Sequence, residues 1–235
     1  MKKVEVCLSP ELAHLYPIKE SLVVVADVLR ATSSMVTAFA YGVEKIIPAT
    51  TLEACKKLQE AGYLAAAERE GQKVGGFDLD NSPCSYQRRD LQGKTIAMTT
   101  TNGTRSIMCA QEARQVVIGA FLNLSAIATY CLQQQHDVII LCAGWKGKVN
   151  MEDTLFAGAL LGKLKQKFTF EDDASLGAHL LYRFTKGRLA NYIASTSRAK
   201  KLYSLNTPED IDFCLKLDRY TVVPVLVGGV IQRLA

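Results

Sequence analysis

The chain has 235 residues, 49% of them hydrophobic, enough apolar material for one sizeable core. Its 28 basic and 23 acidic side chains leave a net charge of +5 without a polybasic block, which argues against a nucleic-acid partner and suits a small anionic ligand in a locally positive cleft. Seven widely spaced cysteines with no CxxC pair fit reduced thiols in a cytoplasmic protein; with no signal-peptide pattern and no apolar run of membrane-spanning length, no membrane partner is expected.

Residues 4–8 read as a short strand, and Ser9-Pro10-Glu11 opens a turn or helix. Residues 21–26 are the first strong strand, an apolar β-branched run that ends on the Asp27 carboxylate. Arg30 follows, and Thr32, Ser33 and Ser34 open a helix that Gly42 stops. A strand over 44–49, a helix from Thr51 to Gly62 and a strand over 63–67 come next, the last ending on Glu68-Arg69. Residues 71–90 carry almost no periodic signal and read as a long functional loop, a candidate lid. A strand over 94–98 leads into Thr99-Thr100-Thr101-Asn102-Gly103-Thr104-Arg105 and a helix to about residue 110. A strand over 115–118, a helix over 124–134 and a buried strand over 137–141 follow, the last ending at Cys142-Ala143-Gly144. Glu152-Asp153 then starts a helix to about residue 164.

This alternation predicts a three-layer α/β/α fold with a mostly parallel or mixed sheet. Beyond Phe170 the pattern turns helical, over 173–184, 186–194, 198–203 and 208–217. The apolar run 220–227 contains Pro224, which favours an edge position if the run is a strand. No linker or repeat interrupts the chain, so one domain over 1–235 is expected.

Asp27, Glu68, Thr100 to Asn102 and Cys142 to Gly144 each stand just past a strand. Ligands bind at such strand ends in open α/β sheets, and parallel strands would bring all four groups to one edge. Helix N-termini there offer free N–H groups to an oxyanion. Arg30, Arg69 and Arg105 lie within a few residues of their strands, and guanidinium forks match oxyanions. Acids at the base with arginines around them suit a divalent cation that bridges carboxylates to an anionic ligand. Blander roles compete at each position: Asp27 as a helix cap, Glu68-Arg69 as a solvated pair, Thr100 to Thr104 as turn chemistry, Glu152-Asp153 as dipole-favoured acids.

Three motifs fail on their context. Asp78-Leu79-Asp80 follows glycines rather than the apolar strand an aspartyl-phosphate site needs. Lys148 stands where a cysteine-phosphatase loop from Cys142 would have its arginine. Gly144 to Lys148 lacks P-loop spacing.

Taken together, Asp27 to Thr32, Ala67-Glu68-Arg69, Gly76-Phe77-Asp78-Leu79, Asn81-Ser82-Pro83, Thr100 to Arg105, Cys142-Ala143-Gly144 and Glu152-Asp153 resemble the 2-phosphosulfolactate phosphatases, in order across residues 22 to about 160. Asp80 departs from the small residue usual in that loop, and the helical C-terminal third carries no site assignment. The resemblance implies Mg2+-dependent hydrolysis of (2R)-2-phospho-3-sulfolactate to 3-sulfolactate and phosphate, in coenzyme M biosynthesis. On that reading Asp27, Arg30 and Arg105 are catalytic, and Asp27, Glu68, Glu152 and Asp153 are candidate Mg2+ ligands. Ser33, Arg69, Asn81, Ser82, Thr100, Thr101, Asn102, Gly103, Thr104, Cys142 and Gly144 are candidate substrate contacts. Water and a carboxylate such as Asp27 both stand as the attacking group, and homo-oligomer formation is left open. Two alternatives are a phosphatase for another small phosphorylated acid, separable by a substrate panel, and a non-catalytic anion binder, separable by metal-dependent phosphate release.

Overall fold

The computed structural model describes residues 1–205 and 207–234; residues 206 and 235 of the expected domain lie outside the described residues. The alternating segments become β1 (Lys2–Cys7), β2 (Leu22–Ala26), α1 (Ala31–Ala40), β3 (Lys45–Pro48), α2 (Leu52–Glu60), β4 (Leu64–Arg69), a short β5 (Gln72–Lys73), β6 (Thr95–Thr99) and α3 (Gly103–Cys109). They continue as β7 (Gln115–Gly119), α4 (Leu124–Gln133), β8 (Val138–Cys142), α5 (Met151–Leu164) and β9 (Phe168–Thr169). The C-terminal third contributes α6 (Asp173–Thr185), α7 (Leu189–Ala194), α8 (Ser197–Ser204), α9 (Pro208–Cys214) and the hairpin β10 (Pro224–Val227) and β11 (Val230–Arg233). Among the described residues no helix is long and apolar enough to cross a membrane.

The strands form one mixed sheet in the order β5-β4-β6-β3-β11-β10-β7-β2-β8-β1-β9. Period-2 alternation builds its two faces. On β2, Leu22, Val24 and Ala26 face α4, α5, α6 and α8, while Val23 and Val25 face α1 and α3. Both faces are covered, so every residue of β2 is buried and the run reads as continuously apolar.

Strand order differs from a single parallel edge. The strands β7, β2, β8, β1 and β9 are mutually parallel, as are β3, β6 and β4, but the antiparallel hairpin β10–β11 lies between the two sets. Pro224 therefore sits mid-sheet rather than at an edge. It is tolerated because it opens the strand, and pairing with β7 begins only at Val225. Three antiparallel pairings separate the two sets, which therefore run in opposite senses, yet the ends of β4 and β6 bring Glu68 and Gly103 up to Asp27 at the end of β2.

The stretch 71–90 is more anchored than a free lid. Leu79 bridges Ala66 at the end of the sheet, and Leu79 and Tyr86 are buried in the core.

Candidate active site

Asp27 ends β2 and is buried. Its backbone N–H donates to Thr32 Oγ1 at 3.1 Å, and the Thr32 N–H returns to the Asp27 carbonyl at 2.9 Å, so Thr32 closes the turn. The Ala31 N–H reaches the Asp27 carboxylate. Across from it stands Gly103, the first residue of α3. A Cβ there would lie 2.5 Å from the Ala31 Cβ and 3.0 Å from both Asp27 Oδ2 and Thr100 Oγ1, so only glycine lets the end of β6 close on the end of β2.

Three more carboxylates join Asp27. Asp153, in the first turn of α5, accepts from the Val28 N–H at 2.8 Å, the Gly144 N–H at 3.2 Å and Asn150 Nδ2 at 2.8 Å. It staples the end of β2 to the end of β8. Glu68, at the end of β4, accepts from the Gly71 N–H. Glu152 is fully buried, and neither of its carboxylate oxygens has a partner among the described residues. Burial, opposed by Arg198 and reinforced by Glu68, pushes the Asp27 carboxyl up to about 6. Burial with the Asp27 charge pushes Glu152 up to about 7. Asp153 is raised well above its ordinary value by burial and by both neighbouring acids. The site therefore holds more negative charge than its protein cations offset.

The cation nearest this charge comes from the C-terminal third. Arg198, in the first turn of α8, is buried; its Nε donates to the Leu29 carbonyl at 3.0 Å, and its charge opposes the upward shift of both Asp27 and Glu152. Its guanidinium carbon stands 5.9 Å from the Trp145 ring centre, within cation–π range. A second C-terminal residue, Asp210 in α9, binds Arg30 and accepts from Ser82 Oγ at 2.5 Å. A narrow cleft of about 20 Å3 opens among Glu68, Glu70, Thr101, Asn102, Trp145, Lys146 and Arg198, and Lys146 pairs with Glu70 at 3.8 Å.

The family described as 2-phosphosulpholactate phosphatase matches residues 7–229. A probable 2-phosphosulfolactate phosphatase of Caldanaerobacter subterraneus subsp. tengcongensis is 40% identical, covering 92% of this chain and 91% of the relative. One of Thermotoga maritima is 39% identical over 93% of this chain and 95% of the relative, and one of Clostridium botulinum is 34% identical over 99% and 100%. The chain belongs to this family.

The 2-phosphosulpholactate phosphatase fold gathers Asp27, Glu68, Gly103 and the Thr101-Asn102 turn from strand ends, and Glu152 and Asp153 from the first turn of α5. Thr100 and Thr104 lock each other, each backbone N–H donating to the other's hydroxyl at 3.0 Å, which shapes that turn. Gly144, at φ +64°, spends its N–H on Asp153. Other residues lie away from the cleft. Arg30 is buried against Asp210 and the Gly71 carbonyl (2.6 Å), so it ties the C-terminal helices to β2 rather than reaching into the opening. Arg105 is half-exposed and pairs with Glu11 at 2.8 Å. Arg69 is held by the Glu68 carbonyl and by Thr99 Oγ1 at 3.1 Å. Ser33 donates to the Val28 carbonyl at 2.8 Å inside α1. Asn81 gives its carbonyl to Ser34 Oγ at 2.7 Å. Cys142 points into the apolar core, where burial raises its thiol strongly. Arg198 and Asp210 went unread in the sequence because Ser197-Arg198-Ala199-Lys200-Lys201 looks like an ordinary basic helix surface.

Proposed function

We propose that the protein hydrolyses (2R)-2-phospho-3-sulfolactate to 3-sulfolactate and phosphate with Mg2+ as cofactor, in the cytoplasm, as a step of coenzyme M biosynthesis. The observation that carries the reading is Glu152: a fully buried carboxylate with both oxygens unpartnered, beside the equally buried Asp27. Such a group calls for a cation. Among the described residues no three His, Cys, Asp or Glu side chains form a preformed ligand cage. Mg2+ keeps several waters and takes one or two carboxylates plus substrate phosphate, so Asp27 and Glu152 would suffice as its protein ligands.

The donor set is hard oxygen throughout, so Asp27 and Glu152 would hold the ion, with Glu68 at its flank. Asp153 has its oxygens engaged by three donors and keeps the strand ends in register instead. A bound Mg2+ supplies charge neutralisation at the phosphoryl oxygens. Arg198 neutralises the same oxygens from the opposite wall, its guanidinium already oriented by Leu29 and Trp145. Thr101 and Asn102 border the phosphate from the turn before α3. Lys146 lies over the Trp145 ring at 5.1 Å and meets the carboxylate or sulfonate. In the overall reaction the ester P–O bond breaks, water supplies the new phosphate oxygen, and the departing alkoxide gains a proton.

Asp27→Asn tests this. It is expected to lower Mg2+-dependent phosphate release by at least ~100-fold while the folded state, read by circular dichroism, persists. Wild-type turnover in that variant would defeat the assignment.

A further inference from the structure

The cleft at Arg198 does not stand alone. A cavity of about 570 Å3 adjoins it between the loop before α5 and helices α6 to α8, and Trp145, Lys146 and Arg198 border both spaces. Glu152 lies on its floor. Trp145, Val149, Met151, Leu181 and Tyr192 give it apolar walls, Asn150, Thr185, Ser195, Thr196 and Ser197 add polar groups along one side, and Lys146 and Lys148 stand at its border.

The Trp145 wall is built rather than incidental. Trp145 and Lys148 close a two-residue hairpin, N–H to carbonyl at 2.8 Å and 3.0 Å in the two directions. Lys146 and Gly147 both adopt positive φ, +53° and +72°, the geometry of a tight primed turn. Gly144 cannot carry a side chain, because a Cβ would meet the Lys148 carbonyl oxygen at 2.5 Å. The backbone that carries Trp145 is thus set by the turn, and Lys146 and Arg198 stand 5.1 Å and 5.9 Å from its ring centre.

A three-carbon acid bearing phosphate, carboxylate and sulfonate has no apolar surface to set against these walls. Anions gain from the lysines, from Arg198 and from the hydroxyls on the polar side, but the indole of Trp145, the ring face of Tyr192 and the side chains of Val149, Met151 and Leu181 return nothing to a sulfonate that gives up its water. An apolar substituent would gain there.

We propose that this cavity is a second substrate subsite, taking the side chain of 2-phosphooxy carboxylates whose third carbon bears an aryl or branched alkyl group. This rests on the phosphatase reading above. The phosphate meets Arg198 and the acids, the carboxylate meets Lys146 or Lys148, and the apolar group lies between Trp145, Leu181 and Tyr192. The reaction is unchanged: water replaces the alkoxide at phosphorus.

Phosphate release from three esters with Mg2+ separates the outcomes: 2-phospho-3-sulfolactate, 2-phospholactate and 2-phospho-3-phenyllactate. The subsite predicts kcat/KM for the phenyl ester at least tenfold above that for the methyl ester, carried mainly by KM. Tyr192→Ala and, as a variant at an exposed position that spares the core, Val149→Asn are expected to shrink that ratio, by about tenfold and threefold. Phenyl and methyl esters hydrolysed equally, with the sulfolactate ester turned over, would overturn the subsite alone. Release from none of the three would overturn the phosphatase reading. Binding still decides the subsite in that case, because Trp145 is the sole tryptophan of the sequence. Saturable quenching of its fluorescence by the phenyl ester in EDTA, at a concentration at least tenfold below that needed with the methyl ester, supports the subsite. Equal or absent quenching with both overturns it.

Discussion

Glu152→Gln puts the central electrostatic argument to a physical test. Glu152 has an ordinary value of 4.5 and stands at about 7 in the fold. Its ionisation therefore costs the metal-free protein on the order of 3 kcal/mol at pH 8. Glutamine removes the charge but leaves a buried amide without partners, which takes back about 1–2 kcal/mol. A net gain of about 1–2 kcal/mol remains, or a Tm rise of about 2–8 °C for a chain of this length. The sign follows from linkage. A carboxyl whose folded value is raised binds protons more readily in the fold than in the unfolded chain, so wild-type stability is intact below the unfolded value near 4.5 and is lost as pH rises through about 7. The advantage of glutamine should thus be full at pH 8, vanish between about pH 5 and 6 and reverse at pH 4.5, where the unpartnered amide leaves the variant about 1 kcal/mol less stable than wild type. Thermal denaturation in EDTA across that range measures it, and phosphate release from the same variant should fall by at least ~100-fold. A variant less stable than wild type at pH 8, or a gain independent of pH, would refute the unpaired buried charge.

Gly103→Ala forces a methyl group within 2.5 Å of Ala31 and 3.0 Å of Asp27. It should cost about 1–3 kcal/mol and depress kcat, whereas Gly177→Ala, in open space inside α6, should raise denaturant stability by about 0.5–1 kcal/mol. Asp210→Ala strands the buried Arg30 and is expected to lose about 3–5 kcal/mol in urea unfolding; a loss under 1 kcal/mol would contradict that pairing.

The wall of the site formed by β2 was legible in the sequence, because a β-branched run that ends on a carboxylate before a cluster of hydroxyls has few other uses. Glu68 was legible on the same logic, whereas Glu152 and Asp153 stand in a first helical turn and became candidate ligands through the family resemblance; the helices of the C-terminal third were legible too, because they keep a 3.6-residue period. The middle of the sheet was harder. Pro224 argued for an edge, although Gly228-Gly229 between two apolar runs was a usable hairpin signal. Arginine roles were the least legible. Arg30 and Arg105 follow strands as a phosphate clamp would, yet one is consumed by Asp210 and the other by Glu11, while Arg198 arrives from a helix with no distinguishing pattern. A guanidinium reaches about as far as a helix is wide, so sequence proximity to a strand end does not fix where its charge lands.

The claim that a cation completes the buried Asp27–Glu152 pair for phosphate-ester hydrolysis is tested most directly by metal restoration. Protein stripped with EDTA is assayed for phosphate release from (2R)-2-phospho-3-sulfolactate as Mg2+ is titrated back. Release that is absent in EDTA and returns saturably with Mg2+ is the predicted result. Full release in EDTA, or none at any Mg2+ concentration, would contradict it.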